Sequence, residues 1–210
     1  YRLLASADAD VELRAAMLRI AAEGHRALCL GQGEELLWMR NPAPLAPARV
    51  LDIFRLKTAP AFEVALRIGA VCAGVDEELH AVLAGFSTAL GVAYQIHDDL
   101  EDVFGVDTDD RLDATKPSLL CALAYEVGND DIRALFTEAW RAGYATADAA
   151  RQLRRFIRES DVGRQAREHL NAHRAAAIAA LAPLRHAELK MLLHRVVTKI
   201  LGVGAARNQP

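Results

Sequence analysis

The sequence predicts an all-α protein, and three observations carry that expectation. Segments rich in Ala, Leu and Arg follow one another with little Gly or Pro inside them, a composition that favours helix. No alternating apolar and polar stretch flanked by turn residues demands a strand. From Val82 to Phe104 the chain is apolar nearly all round (Leu83, Phe86, Leu90, Val92 and Ile96 among others), as a helix buried in the middle of a bundle must be. With 210 residues, 52% hydrophobic and only 6% aromatic, one core built from Ala, Leu, Val and Ile is expected. A single helical domain is therefore placed over 1–204, with Ala205 to Pro210 as a loose tail.

The elements follow from local punctuation. A first helix is expected from near Ala9 to about Met39, interrupted by Gly24, Gly31 and Gly33. Asn41-Pro42-Ala43-Pro44-Leu45-Ala46-Pro47 forms a proline-rich connection, and a helix restarts near Pro47, where proline suits the first turn. Pro60 lacks the N–H that a helix needs, so a kink or break is expected beside Lys57-Thr58, exposing polar backbone there. Asp76 is positioned to cap the long helix Glu77 to Phe104. An acidic loop runs on to Thr115, and further helices are expected at Lys116 to Val127, Asp131 to Glu159, Gly163 to Leu181 and His186 to Leu201.

Composition narrows the function. A formal charge of -3 and a pI near 6.2 provide no global basic field, so nucleic acid is not an expected partner. No apolar run reaches the roughly 18 residues of a membrane span, and none is expected. Cys29, Cys72 and Cys121 are scattered, odd in number and set among apolar neighbours, which reads as reduced core thiols and a cytoplasmic location.

Four acids occupy five residues at the end of the most apolar helix: Asp98-Asp99-Leu100-Glu101-Asp102. Asp98 and Asp102 are four apart and Asp99 and Asp102 three apart, so these carboxylates share one side of the helix, with Gln95 a turn earlier on that side. Carboxylates at a helix C-terminus oppose the helix dipole, and desolvated ones are costly without a cationic partner. Mg²⁺ takes oxygen ligands and completes its shell with water and phosphate, so the cluster points to a diphosphate or triphosphate bound through metal. A bare run of acids is also what a solvated surface shows; the apolar context of this helix favours the site. Lys57, in an apolar stretch beside Pro60, and Lys116 are compact charges of the kind that grip phosphate. His169 and His173 have zinc-helix spacing but lack the glutamate after the first histidine and sit among arginines, so they are read as structural. His97 points about 100° away from Asp98 and is expected to pack or to bind a neighbouring side chain.

Gly91-x-x-x-Gln95-x-x-Asp98-Asp99-x-x-Asp102 resembles the second aspartate-rich motif of the trans-type isoprenyl diphosphate synthases, the polyprenyl synthetase family. Leu56-Lys57-Thr58-Ala59 with Phe62, Gly69-Ala70 and Ala73-Gly74 is similar to the family's K-T segment. Gly31-Gln32-x-x-Glu35 resembles its G-Q-x-x-D, with Glu for Asp, and Lys116-Pro117-Ser118-Leu119-Leu120 resembles its following lysine segment. The family's first aspartate-rich motif has no counterpart here, and Tyr1 is not an initiator Met. The chain is therefore expected to be the C-terminal part of a longer synthase whose N-terminal helices are needed for activity. A glycine-lysine pair before Lys116 is also missing; Gly105 to Arg111 is shorter and more acidic, with Arg111 the candidate replacement.

The resemblance implies an isoprenoid-synthase-type bundle with a cavity between its helices; Phe62, Phe86 and Tyr94 are the candidates for its apolar wall. It implies a Mg²⁺-dependent prenyltransferase acting on isopentenyl diphosphate and an allylic prenyl diphosphate. Residue by residue it assigns catalysis to Lys57, Thr58, Gln95 and Asp98, substrate binding to Gln32, Lys57, Thr58, Gln95 and Lys116, and metal binding to Asp98, Asp99 and Asp102. A homodimer is expected through apolar helix surface along Val64 to Val92. The competing readings are a non-catalytic partner subunit of a heteromeric synthase and a terpene-cyclase-like enzyme of the same fold. A di-iron or hydrolase bundle would need paired E-x-x-H motifs, and no such pair is present.

Overall fold

In the computed structural model, residues 1–75, 77–105 and 112–202 are described. Their elements are α1 (Arg2–Ala5), α2 (Val11–Arg40), α3 (Pro47–Cys72), α4 (Glu77–Phe104), α5 (Leu119–Val127), α6 (Asp130–Ala142), α7 (Ala147–Glu159), α8 (Val162–Ala180) and α9 (Ala187–Leu201). The expected cap at Asp76, the candidate Arg111, most of the acidic loop and the tail lie outside the described residues. Among the described residues the fold is all-α. α2, α3, α4 and α8 pack side by side in that order, and α4 carries both halves of the core. Its C-terminal half, through Ile96, Leu100 and Val103, meets Leu119, Leu123, Phe136, Leu153 and Ile157. Its N-terminal half, through Leu83, Phe86 and Leu90, meets Ala177, Leu181, Leu193 and Val197.

Side-chain caps explain most helix starts. Asp10 Oδ1 accepts from Leu13 N at 2.7 Å, Asn129 Oδ1 from Ile132 N at 3.0 Å, and Thr146 Oγ1 from Ala149 N at 3.2 Å. Pro47 occupies the first turn of α3, as expected. Two boundaries differ from the sequence expectation. Helix α5 begins at Leu119 rather than Lys116, because Ser118 is its cap and Lys116-Pro117 approach in non-helical backbone. The stretch expected as one helix from Asp131 to Glu159 is two: Gly143 takes φ +76° after α6, and Thr146 then starts α7.

The glycines of α2 do not interrupt it, and Pro60 does not break α3. Both corrections have one physical cause. A Cβ on Gly31 would stand 2.4–2.6 Å from the Leu56 carbonyl group and Lys57 N, and one on Gly91 of α4 would stand 2.6 Å from Ala59 Cα. Helices α2 and α4 thus grip the backbone of α3 from two sides at Leu56–Ala59. Proline at 60 has no N–H to offer the Leu56 carbonyl four residues earlier, and that carbonyl faces the space left by Gly31. Packing across the helix maintains it through the proline. Gly33, by contrast, faces open space.

Three further expectations change. Only Cys121 is a buried thiol; Cys29 and Cys72 are exposed. By length and composition Glu78–Phe104 does reach what a membrane crossing needs, and half of its most apolar stretch is buried inside the bundle. Between Val64 and Val92 no large apolar side chain is exposed among the described residues, because α2, α8 and α9 cover α3 and α4; Leu30, Leu36 and Leu37 on α2 are exposed instead.

Gly31→Ala and Gly91→Ala are each expected to destabilise the fold by about 1–3 kcal/mol, because a methyl group must displace backbone rather than a flexible side-chain tip. Gly33→Ala is expected to be neutral or stabilising by up to about 1 kcal/mol through helix propensity. Urea denaturation midpoints check both, and equal effects at the three positions would contradict the close-contact account.

Candidate functional site

The grip on α3 fixes where Lys57 points. Its ammonium donates to Glu35 Oε1 at 2.8 Å and lies 5.6 Å from the centre of the Phe54 ring. One turn earlier on α2, Gln32 Nε2 donates to Glu35 Oε2 at 2.9 Å, so the carboxylate is held from both sides. Glu35 is 7% exposed, the only buried carboxylate residue by that measure among the described residues. A charge so placed requires its partner. Sequence reasoning quoted Glu35 as part of a motif without giving it a role; its role is set by Lys57, 22 residues away.

Lys57 also acts electrostatically on the acid cluster of α4. Burial and the neighbouring Asp102 raise the Asp98 carboxyl above the usual carboxylate range, opposed by His97, by a hydrogen bond from Tyr94 and by Lys57. Asp99 is pushed up to about 7 by burial, against the pull of hydrogen bonds from Leu119 N and Ser118 and of Lys57. Its Oδ2 accepts from Leu119 N at 2.7 Å. Thus Asp99, expected beside Asp98 and Asp102 as a third ligand, is directed at the start of α5. Among the described residues no group of three His, Cys, Asp or Glu side chains is assembled as a metal site. The half-buried Asp98 and the exposed Asp102 nevertheless suit a divalent cation: the proton affinity that burial and Asp102 give to Asp98 is relieved by one, and Mg²⁺ needs few protein oxygens.

Lys116 closes the site from the loop before α5. It is exposed, and its Nζ pairs with Asp113 Oδ2 at 3.0 Å. That bond and charge raise its pKa, with smaller contributions from Asp102 and Glu35, which places Lys116 in the same electrostatic neighbourhood as the acids and Lys57. The loop is tied down by Trp140 Nε1, which donates to Ala114 O at 2.9 Å. Thr58 and Gln95 are half-buried beside this group, and Gln32 is exposed at its edge. Phe62 and Tyr94 meet edge-on with centroids 6.0 Å apart, forming an apolar wall next to Asp98. Phe86 does not belong to that wall; it is fully buried against α8 and α9.

Helix α4 ends against arginines as well as acids. Arg154 and Arg158 of α7 donate to Val103 O at 2.8 Å, satisfying a terminal carbonyl and offsetting the dipole that the acids oppose. His173 Nδ1 lies 2.9 Å from His169 O, in keeping with the structural reading of that pair. Asp113 and the capping role of Asp99 escaped the sequence reading; Pro117-Ser118 ahead of an apolar run is the cap signature that would have revealed the true start of α5.

Comparison with known proteins identifies the bundle as an isoprenoid-synthase-type fold. The polyprenyl synthetase family pattern matches residues 1–157. The octaprenyl diphosphate synthase of Haemophilus influenzae is 31% identical over 133 residues, 60% of this chain and 40% of that protein. Among solved structures, geranylgeranyl pyrophosphate synthetase from Pyrococcus horikoshii superposes with a TM-score of 0.81 at 20% identity, over 96% of this chain and 63% of that one. Polyprenyl synthase from Caulobacter crescentus, solved with calcium and isoprenyl diphosphate, superposes with a TM-score of 0.78 at 25% identity, over 89% of this chain and 58% of that one. The chain thus spans about two fifths of the first protein and about three fifths of the two structures.

Replacing Lys57 with Met should cost about 3 kcal/mol of stability, since it strands the buried Glu35 carboxylate; the pair's side chains are 17% and 9% exposed. The double replacement Lys57→Met with Glu35→Met should recover most of that loss. Chemical denaturation of the single and double variants checks this, and a single variant within a few tenths of a kcal/mol of wild type would mean the pair is solvated.

Proposed function

The chain belongs to the polyprenyl synthetase family, and from that premise we propose that it forms the second-acid-motif half of a Mg²⁺-dependent prenyltransferase, which condenses an allylic diphosphate with isopentenyl diphosphate to give a longer polyprenyl diphosphate. The observation that carries this reading is the convergence of Lys57 and Lys116 on the acids of α4, with an apolar wall alongside. Asp98 and Asp102 would hold Mg²⁺, which supplies charge neutralisation to the diphosphate when bound.

The chain's own residues have the remaining roles. Lys57, held by Glu35, whose carboxylate Gln32 also grips, presents a fixed cation to the diphosphate, and Lys116 presents a second from the loop. When the allylic C–O bond breaks, its electron pair leaves with the diphosphate, and these ammonium groups stabilise the charge that develops. Phe62 and Tyr94 shield the allylic cation from water until the double bond of isopentenyl diphosphate attacks it and a proton is lost. Thr58 and Gln95 orient the reacting ends from adjoining turns of α3 and α4. A homodimer belongs to the same proposal, with the exposed Leu30, Leu36 and Leu37 of α2 as the apolar surface it would cover.

In the complete protein, Asp98→Ala should lower turnover by orders of magnitude, and Lys57→Ala should raise the KM for a diphosphate substrate while slowing ionisation. Steady-state kinetics with isopentenyl diphosphate and allylic partners of increasing length test the proposal; wild-type constants in both variants would reject it. Sedimentation at micromolar concentration should give a dimer, and a monodisperse monomer would remove that element.

A further inference from the structure

We propose that Asp99 is a positioning residue for Lys116: its carboxylate latches the start of α5 onto α4 and so sets the height of the lysine loop above the acids, rather than serving as a metal ligand. The inference rests on the diphosphate reading of the site. Geometry carries it. Asp99 Oδ2 accepts from Leu119 N at 2.7 Å, across 20 residues of chain. Ser118 is the cap of α5 and accepts from Cys121 N. Two orphan donors at the start of that helix are therefore satisfied by one residue from α4 and one of its own.

Lys116 is separated from this anchor by Pro117, which is buried and fixed in φ, and by Ser118 alone. A displacement of the anchor is therefore passed to Lys116 with little slack. On its other side the loop is held by the bond from Trp140 to Ala114 O, and Lys116 itself is held by Asp113. The segment Ala114 to Leu119 is thus a short strap pinned at both ends, with its one lysine in the electrostatic reach of Asp102 and Glu35. Release of the Asp99 pin frees one end of that strap. The chemistry of the latch also predicts what can replace it. The N–H of Leu119 needs an acceptor oxygen and not a charge, and an asparagine side chain supplies one.

The test uses the full-length protein, with inorganic pyrophosphate and Mg²⁺ as the probe. Calorimetry measures pyrophosphate affinity for wild type, Asp99→Asn, Asp99→Ala, Lys116→Ala and Asp99→Ala with Lys116→Ala, while hydrogen exchange follows the Leu119 amide. Asp99→Asn is expected to bind no more than about threefold more weakly than wild type and to keep Leu119 protected. Asp99→Ala is expected to lose about tenfold in affinity and about tenfold in Leu119 protection, the size of a lost cap. In the Lys116→Ala background the Asp99→Ala change should cost no further affinity, because both act through one charge. Equal losses of affinity in Asp99→Asn and Asp99→Ala would make the charge itself essential and overturn the latch in favour of a ligand role. Unchanged affinity in Asp99→Ala would overturn the link to Lys116. A wild-type protein that does not bind pyrophosphate would instead reject the diphosphate reading on which the inference stands.

Discussion

The closest constraint in the structure is the contact of three helix backbones at Leu56–Ala59. A glycine on α2 and another on α4 remove the side chains that would hold these helices apart, and α3 passes between them with its carbonyl and amide groups against Gly31 and its Ala59 against Gly91. Interiors transmit strain because they are close-packed, so this contact sets the relative heights of α2, α3 and α4. Each of these helices contributes polar or charged groups within a turn or two of it: Gln32 and Glu35, Lys57, and Asp98 with its neighbours. The site is assembled by the same contact that holds the helices together. A proline in the middle of α3 is tolerated in that setting, since the carbonyl it leaves without an intrahelical donor is the one that faces Gly31.

Electrostatics accounts for the rest of the arrangement. The apolar helix α4 ends in four acids, which the helix dipole opposes and of which burial opposes Asp98 and Asp99. Relief comes from several directions. Lys57 and His97 draw down the proton affinity of Asp98, Leu119 N and Ser118 do so for Asp99, and arginines of α7 occupy the Val103 carbonyl. The relief is incomplete, because Asp98 and Asp99 retain raised pKa values. Residual proton affinity in a cluster of carboxylates is what makes it receptive to added positive charge. Lys57 cannot supply it all, being already committed to Glu35.

The division of labour among the acids shows how one helix can serve two neighbours. Spacing puts Asp98, Asp99 and Asp102 within one broad side of α4, yet adjacent residues on a helix differ by about 100° in direction. That angle separates Asp99, which reaches α5, from Asp98, which lies with Tyr94 and Lys57. A motif that reads as three equivalent carboxylates is therefore two kinds of group. Glu35 shows the same effect in reverse: it looks like one more acid in a solvated pair with Glu34, but α3 buries it against Lys57.

The sequence by itself determined the helical class, the span of α4, the restart at Pro47, the placement of an acid motif at the end of the most apolar helix, and the family to which these motifs point. These are properties of runs of residues, where periodicity, propensity and a nearby proline act within a turn or two of one another. Tertiary structure decided what depends on neighbours far along the chain. Whether Gly24, Gly31 and Gly33 interrupt α2 or admit another helix is not a local property, and the answer differs between Gly31 and Gly33. The partners of Lys57 and Asp99 stand 22 and 20 residues away, and no spacing rule reaches that far. The split between α6 and α7 is the exception that was local: Gly143 followed by Thr146 carries a stop and a start, overridden in reading by the helix-favouring residues on both sides. Composition reports how readily a segment forms helix, whereas packing and caps decide where each helix ends and what its polar side chains meet.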